Sequence, residues 1–397
     1  MRKNLLIGLI VTVFLSVVIY AIFFREKEVI TPLTNSWDFA IPNQDVPSGL
    51  VSLKAEDCGT CHQEHYEEWK LATHAHAWTD LQFQAELKKE SSPFMCINCH
   101  IPLQNQQEFK VTGLINGDIY RPVKEKNPHF DPILQKEGIT CASCHVRNNE
   151  IIGATGSELA PHPVRKAPEL LNENLCISCH NASAVITPTL ACTFQTGDEW
   201  KAGPFYGEKN CIDCHMTEVE RPLVTGYPVR KSHRHWFTGS GIPKFDTVQT
   251  TIQNGLVFKP SSIAKVYAAD EVFTFDFKAK NENAGHRVPS GDPERFIKVY
   301  LTLINDQGDT LKYIENRIGE EWEWYPEAKK LSDNNFDPGE ERTYKLEHIL
   351  KKKGDYKLLV KVTKHRLNKE NAEYNGLGTN YPLFITIYNE QYDFSVE

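Results

Sequence analysis

The chain has 397 residues, a formal net charge of -8 and 40% apolar residues. That leaves room for two or three domains with ordinary cores and excludes a low-complexity or disordered chain. The charge is spread along the sequence with no basic face, which argues against nucleic acid as a partner.

Arg2 and Lys3 precede an apolar run from Leu5 to Phe24, closed by Arg25. At 1.5 Å per residue, about 20 residues span about 30 Å, the depth of a bilayer core. Cleaved signals have shorter apolar regions, about 7–15 residues, that end in a small-residue site. This run instead ends Tyr20-Ala21-Ile22-Phe23-Phe24. The expected element over 1–25 is therefore an uncleaved transmembrane signal anchor, with a cleaved signal as the alternative. Its basic end should stay in the cytoplasm and the rest should be exported, to the periplasm or outside. Residues 26–50, with Pro32, Pro42 and Pro47, read as a linker away from the membrane.

Eleven cysteines in an exported chain first suggest disulfides. Ten of them, however, fall in five C-x-x-C-H units. These are Cys58-Cys61-His62, Cys96-Cys99-His100, Cys141-Cys144-His145, Cys176-Cys179-His180 and Cys211-Cys214-His215. A C-x-x-C pair alone could be a zinc half-site or a redox dithiol; the histidine that follows every pair selects haem c attachment. Two thiols reach the vinyl groups on one porphyrin edge, and the adjacent histidine supplies the proximal nitrogen to iron. Five haem c groups are expected. Cys192 is left over and reads as a buried small apolar residue.

Five irons need five more axial ligands. Ten histidines lie outside the motifs, against 3 methionines, so bis-histidine ligation is the expectation. Distal candidates are His74 and His76 after the first motif, His129 before the third, His162 in a Pro-flanked loop, His233 and His235 after the fifth, and His286. His65 ranks lower, and His348 and His365 sit in charged segments that read as solvated. A segment such as Glu64 to Lys89 has helical composition.

With these residues in hand, the chain resembles, over roughly residues 55 to 300, the multihaem family of hydroxylamine oxidoreductase and its tetrahaem electron acceptors. Cys58-Gly59-Thr60-Cys61-His62 with Tyr66-Glu67-Glu68-Trp69 and His74 is similar to that family's first haem site, and the resemblance implies His74 as a distal ligand. Gly138-Ile139-Thr140 before the third motif, then Ala160-Pro161-His162-Pro163, implies His162. The run Phe194 to Trp200 leading into the fifth motif implies His233 or His235. Ala284-Gly285-His286-Arg287-Val288-Pro289-Ser290-Gly291 resembles a histidine loop that opens a C-terminal domain. There are departures: no C-x-x-C-K unit occurs, and no tyrosine is marked for a haem crosslink.

The fold expected for residues 51–250 is therefore a multihaem cytochrome c arrangement of short helices and loops packed on porphyrins, since so little chain per haem cannot build a conventional core. Residues 251–397 carry no such motif. Alternation at Phe273, Phe275 and Phe277, with further runs at Phe296–Ile304, Tyr356–Val362 and Leu383–Val396, predicts an all-β, Ig-like sandwich of seven or eight strands. Two functions fit. One is a membrane-anchored electron carrier between a quinol-side donor and a periplasmic or outer-surface acceptor. The other is a reductase or oxidoreductase of small nitrogen or sulfur oxyanions at one open haem.

Overall fold

The computed structural model describes residues 12–16, 28–34, 39–89, 94–187, 190–245 and 253–397. The expected membrane anchor falls largely outside them. Among the described residues no helix is long and apolar enough to cross a membrane.

The first half of the chain is a shell of short helices: α1 (Ala55–Gly59), α2 (Gln63–Leu71), α3 (Leu81–Leu87), α4 (Phe94–His100), α5 (Cys141–His145), α6 (Glu173–His180), α7 (Thr196–Lys201) and α8 (Cys211–His215). Their apolar clusters are small, such as Leu53, Leu103, Leu134, Ala142 and Val146, or Ala55, Trp69 and Ala75. These clusters lie around a central cavity of about 1910 Å³. Typical small-molecule pockets measure about 300–1,000 Å³.

Two expectations change here. The helix expected over Glu64 to Lys89 is broken. The Ala72 backbone is extended, α3 starts only after Asp80, and the intervening turn carries His74 inward. The packing fits the break: the His74 carbonyl accepts from Ala77 N–H at 3.1 Å, closing a turn, and from Ile139 N–H at 3.0 Å, a partner outside the segment. The linker is not a free spacer either. Ile30 and Thr31 pair with Ile115 and Leu114. Ile41 N–H donates to Pro102 O, and the buried Gln44 donates its N–H to Asn105 Oδ1.

The second half is built of strands β1 (Leu256–Pro260), β2 (Val266–Tyr267), β3 (Val272–Asn281), β4 (Phe296–Asn305), β5 (Thr310–Glu323), β6 (Lys329–Asp333), β7 (Glu341–Ile349), β8 (Gly354–His365) and β9 (Phe384–Val396). One sheet has the order β1-β3-β7 and the other β2-β9-β8-β4-β5-β6. The period-2 pattern of β3 buries Phe273, Phe275 and Phe277 fully. They pack with Val299, Leu301 and Leu303 from β4 and Leu358, Val360 and Val362 from β8 in one core between the sheets. β5 escaped the sequence reading because most of its side chains are polar and outward-facing.

This module grips the helical shell in two places. On one side, Glu199 of α7 accepts from Arg287 N–H at 3.2 Å and Ser290 Oγ at 2.7 Å. On the other, the Arg366 guanidinium donates to the Ile242 and Pro243 carbonyls, both at 2.9 Å, and Tyr381 donates to Asp80 at 2.6 Å.

Candidate haem-binding cavity

Each C-x-x-C-H unit occupies about one helical turn, with its cysteines three residues apart and its histidine four after the first. Residues so spaced share one face of a helix, so both thiols and the imidazole of a unit point the same way. In α8 the turn is fixed by Asn210, whose side chain accepts from Ile212 and Asp213 N–H while Asp213 returns a bond to Asn210 N–H. Asn172 caps α6 in similar fashion. All five units line the one cavity.

The proximal rings are oriented by backbone carbonyls. The Nδ1–H of His62 donates to Leu223 O at 3.2 Å, that of His100 to Ala77 O at 2.7 Å, and that of His145 to Ile152 O at 3.1 Å. His215 makes the same bond to Thr238 O. This second contact fixes the tautomer and leaves Nε2 free as a metal ligand. Burial holds His100 and His180 down at about 4, and it lowers His62 and His145 as well. Neutral imidazole is the form that binds metal.

The distal candidates divide clearly. An imidazole nitrogen binds a transition metal at about 2 Å, and the ring centre lies about 1 Å behind it, so rings sharing one ion stand about 6 Å apart. His162 stands 6.4 Å from His62, His235 6.1 Å from His145, His74 6.3 Å from His180 and His286 6.2 Å from His215, centroid to centroid. Burial pushes His74 and His235 down to about 3 and lowers His286. His65, His74 and His162 each keep a buried Nδ1 without a hydrogen-bond partner. Buried polar atoms are seldom left so unless something else satisfies them. These residues fit haem.

The other candidates are placed differently. His76 is not on the cavity wall and its Nε2–H donates to Lys70 O at 3.0 Å. His129 is exposed and likewise off the wall. His233 lines the cavity, yet its Nδ1–H goes to Met216 O and its carbonyl accepts from His235 Nδ1, so it buttresses His235. His65 is 6.2 Å from His62, but its Nε2 is engaged with Ser232 Oγ at 3.0 Å and it lies only three residues beyond His62. His365, expected in solvent, is stacked between Phe296 and Phe384 on the cavity side. Among the described residues no imidazole stands opposite His100, whose ring is stacked on Phe83 at 3.6 Å.

The family profile for cytochrome c554 and c-prime matches residues 57–118. The chain is also similar to a penta-heme cytochrome c552 from Thermochromatium tepidum, with a TM-score of 0.59 and 17% identity, over 88% of this chain and 100% of that one. The chain is a multihaem c-type cytochrome. A β domain from Pyrococcus furiosus, the CARDB domain, aligns with 36% of the chain at 16% identity, but a TM-score of 0.19 carries no argument. No curated protein matches significantly.

Within the cytochrome, the units are interleaved out of chain order. The helices carrying Cys58 and Cys141 touch, and each thiol perturbs the other, which puts the first unit beside the third. Cys99 and Cys179 join the second unit to the fourth, and Cys176 and Cys211 join the fourth to the fifth. The fourth unit is thus a junction, an adjacency that sequence spacing could not give. Cys192, expected to be buried, is half-buried beside Phe94, Met95 and Leu114, and what burial it has pushes its thiol up.

Proposed function

We propose that the cytochrome is a five-haem electron carrier, anchored by its N-terminal segment to the cytoplasmic membrane with the haem module facing the periplasm. In this reading each C-x-x-C-H unit holds one haem c, and His162, His235, His74 and His286 are distal ligands for the first, third, fourth and fifth units. The bound haems supply reversible one-electron chemistry at iron. The chain's own residues hold neutral imidazoles in pairs, exclude water and bring the units into contact. The C-terminal module, read as an Ig-like sandwich, contributes a ligand to the fifth unit through His286. Its partners are redox proteins, a quinol-side donor and a periplasmic or outer-surface acceptor. The remoter kinship is with the hydroxylamine oxidoreductase family.

The observation that carries this is the set of four imidazole pairs at 6.1–6.4 Å around one cavity. Haem quantification of the purified exported protein, followed by potentiometric titration, tests it. Five covalently bound haems, most at the low potentials of bis-histidine sites, are expected. Fewer than five, or potentials typical of His/Met ligation, would overturn it.

A second reading has one observation in its favour. His100 lacks an opposing imidazole among the described residues, so the second unit offers the single open axial position that chemistry on a small nitrogen or sulfur oxyanion needs. Reoxidation of the reduced haems by nitrite, hydroxylamine or sulfite distinguishes the readings: turnover of one of them keeps the second alive, and none removes it.

A further inference from the structure

Glu68 lies on α2, six residues beyond His62, and is 5% exposed. A carboxylate at such a depth is costly unless its oxygens are fully used. They are. Oε1 accepts from Arg221 Nη1 at 2.6 Å and from Arg234 Nη1 at 2.8 Å. Oε2 accepts from Arg221 Nη2 at 2.8 Å and from the backbone N–H of His235 at 2.8 Å. The carboxyl is held below its ordinary range: burial pushes it up, and the two arginines with the His235 amide outweigh that.

The last of these bonds sets Glu68 apart from an ordinary buried ion pair. It goes to the main chain of a residue whose ring faces His145 at 6.1 Å. The His235 ring is steered from its other side too, since Nδ1–H donates to His233 O at 2.9 Å. With its amide held by Glu68 and its ring nitrogen held by His233, His235 has little freedom to rotate or withdraw. The two arginines extend the same grip. Arg221 belongs to the strand Glu218–Pro222, and Arg234 immediately precedes His235. That strand pairs with Val229–His233, so both sides of the hairpin before His235 are tied to one carboxylate.

We propose that Glu68 is a positioning residue for His235, so that the helix after the first C-x-x-C-H unit sets the distal ligand of the third. It also sets the local charge. Glu64 also accepts from Arg221 Nη1 at 2.9 Å, so two carboxylates balance two guanidinium groups beside two adjoining units, whose Cys58 and Cys141 thiols are neighbours. Neutralising Glu68 would leave a net single positive charge and favour the reduced form of the nearest iron. This inference rests on the reading of His235 as a ligand given above.

The test uses the haem-loaded full chain. Glu68→Gln keeps the shape, removes the charge and turns an amide –NH₂ towards at least one of the four donors. Expected are a shift or loss of one bis-histidine low-spin ferric signal in electron paramagnetic resonance and a rise in the potential of the same haem. Haem content and the other signals should stay as in the parent. Glu68→Asp, which keeps the charge, should return the potential towards the parent value. His235→Met is measured alongside. If His235→Met perturbs one haem and Glu68→Gln perturbs none, lowering only the melting temperature, Glu68 is merely structural and the proposal fails. If His235→Met leaves every haem unchanged, the ligand reading itself fails.

Discussion

Gly203 offers a sharp test of how the β module reaches the cytochrome's fifth unit. A Cβ built on Gly203 would lie 2.0 Å from the carbonyl oxygen and 3.0 Å from the carbonyl carbon of Gly285, the residue before His286. The obstacle is contact alone, since Gly203 has no left-handed backbone. Reaching even the 3.0 Å limit of real contacts requires the Gly285 backbone to retreat by about 1.0 Å. Metal–ligand distances tolerate about 0.2 Å, so a movement of this size exceeds what the His215–His286 spacing of 6.2 Å can absorb. Overpacking of this kind costs about 1–3 kcal/mol, which a domain survives. Gly203→Ala should therefore fold with full haem content and convert one haem from low-spin to high-spin, visible in ferric electron paramagnetic resonance. His286→Ala should give the same spectrum. Gly207→Ala, whose Cβ would meet nothing within 4 Å, should leave the spectrum unchanged despite its φ of +81°. An unchanged low-spin spectrum in both Gly203→Ala and His286→Ala would refute the reasoning.

Other perturbations reach other units. At Gly49, with φ +88°, an added Cβ would stand 3.0 Å from His162 Cβ; Gly49→Ala adds backbone strain of about 1–2 kcal/mol and should disturb the haem signal of the first unit. Trp69→Phe removes the 2.8 Å indole bond to Ile139 O beside His74, costing about 1–3 kcal/mol in thermal unfolding. Asp80 is 2% exposed and its carboxyl is held below its ordinary value, burial pushing it up and Lys244 and Arg366 more than offsetting that. Because the folded value is depressed, its stabilisation is complete above about pH 4 and is lost as pH falls through the folded value. Asp80→Asn should cost about 3 kcal/mol near neutrality and flatten the acid limb of melting temperature against pH; an unchanged limb would rule Asp80 out as its source.

What could be read in the sequence was whatever is local. The C-x-x-C-H units, the alternation of Phe273, Phe275 and Phe277, and the Gly- and Pro-bounded loop around His286 all carry their meaning within a few residues. The distal partners were narrowed but not chosen, because pairing depends on chain segments that meet only in the fold. His74 and His76 are separated by a broken helix rather than by helical phase, and His233 and His235 by which of them the other supports. That no imidazole among the described residues stands opposite His100 could not be seen either, since a surplus of histidines in the sequence conceals a deficit at one place. Glu68 escaped for a similar reason. Its partners Arg221 and Arg234 lie more than 150 residues away.

The most direct measurement is a count of haem types in the oxidised protein by low-temperature magnetic circular dichroism with electron paramagnetic resonance. Four imidazole pairs and one unpaired His100 predict four bis-histidine low-spin haems for each high-spin haem, with carbon monoxide taken up only by the latter once reduced. A methionine-ligated band, or five low-spin haems and no ligand binding, would contradict the account.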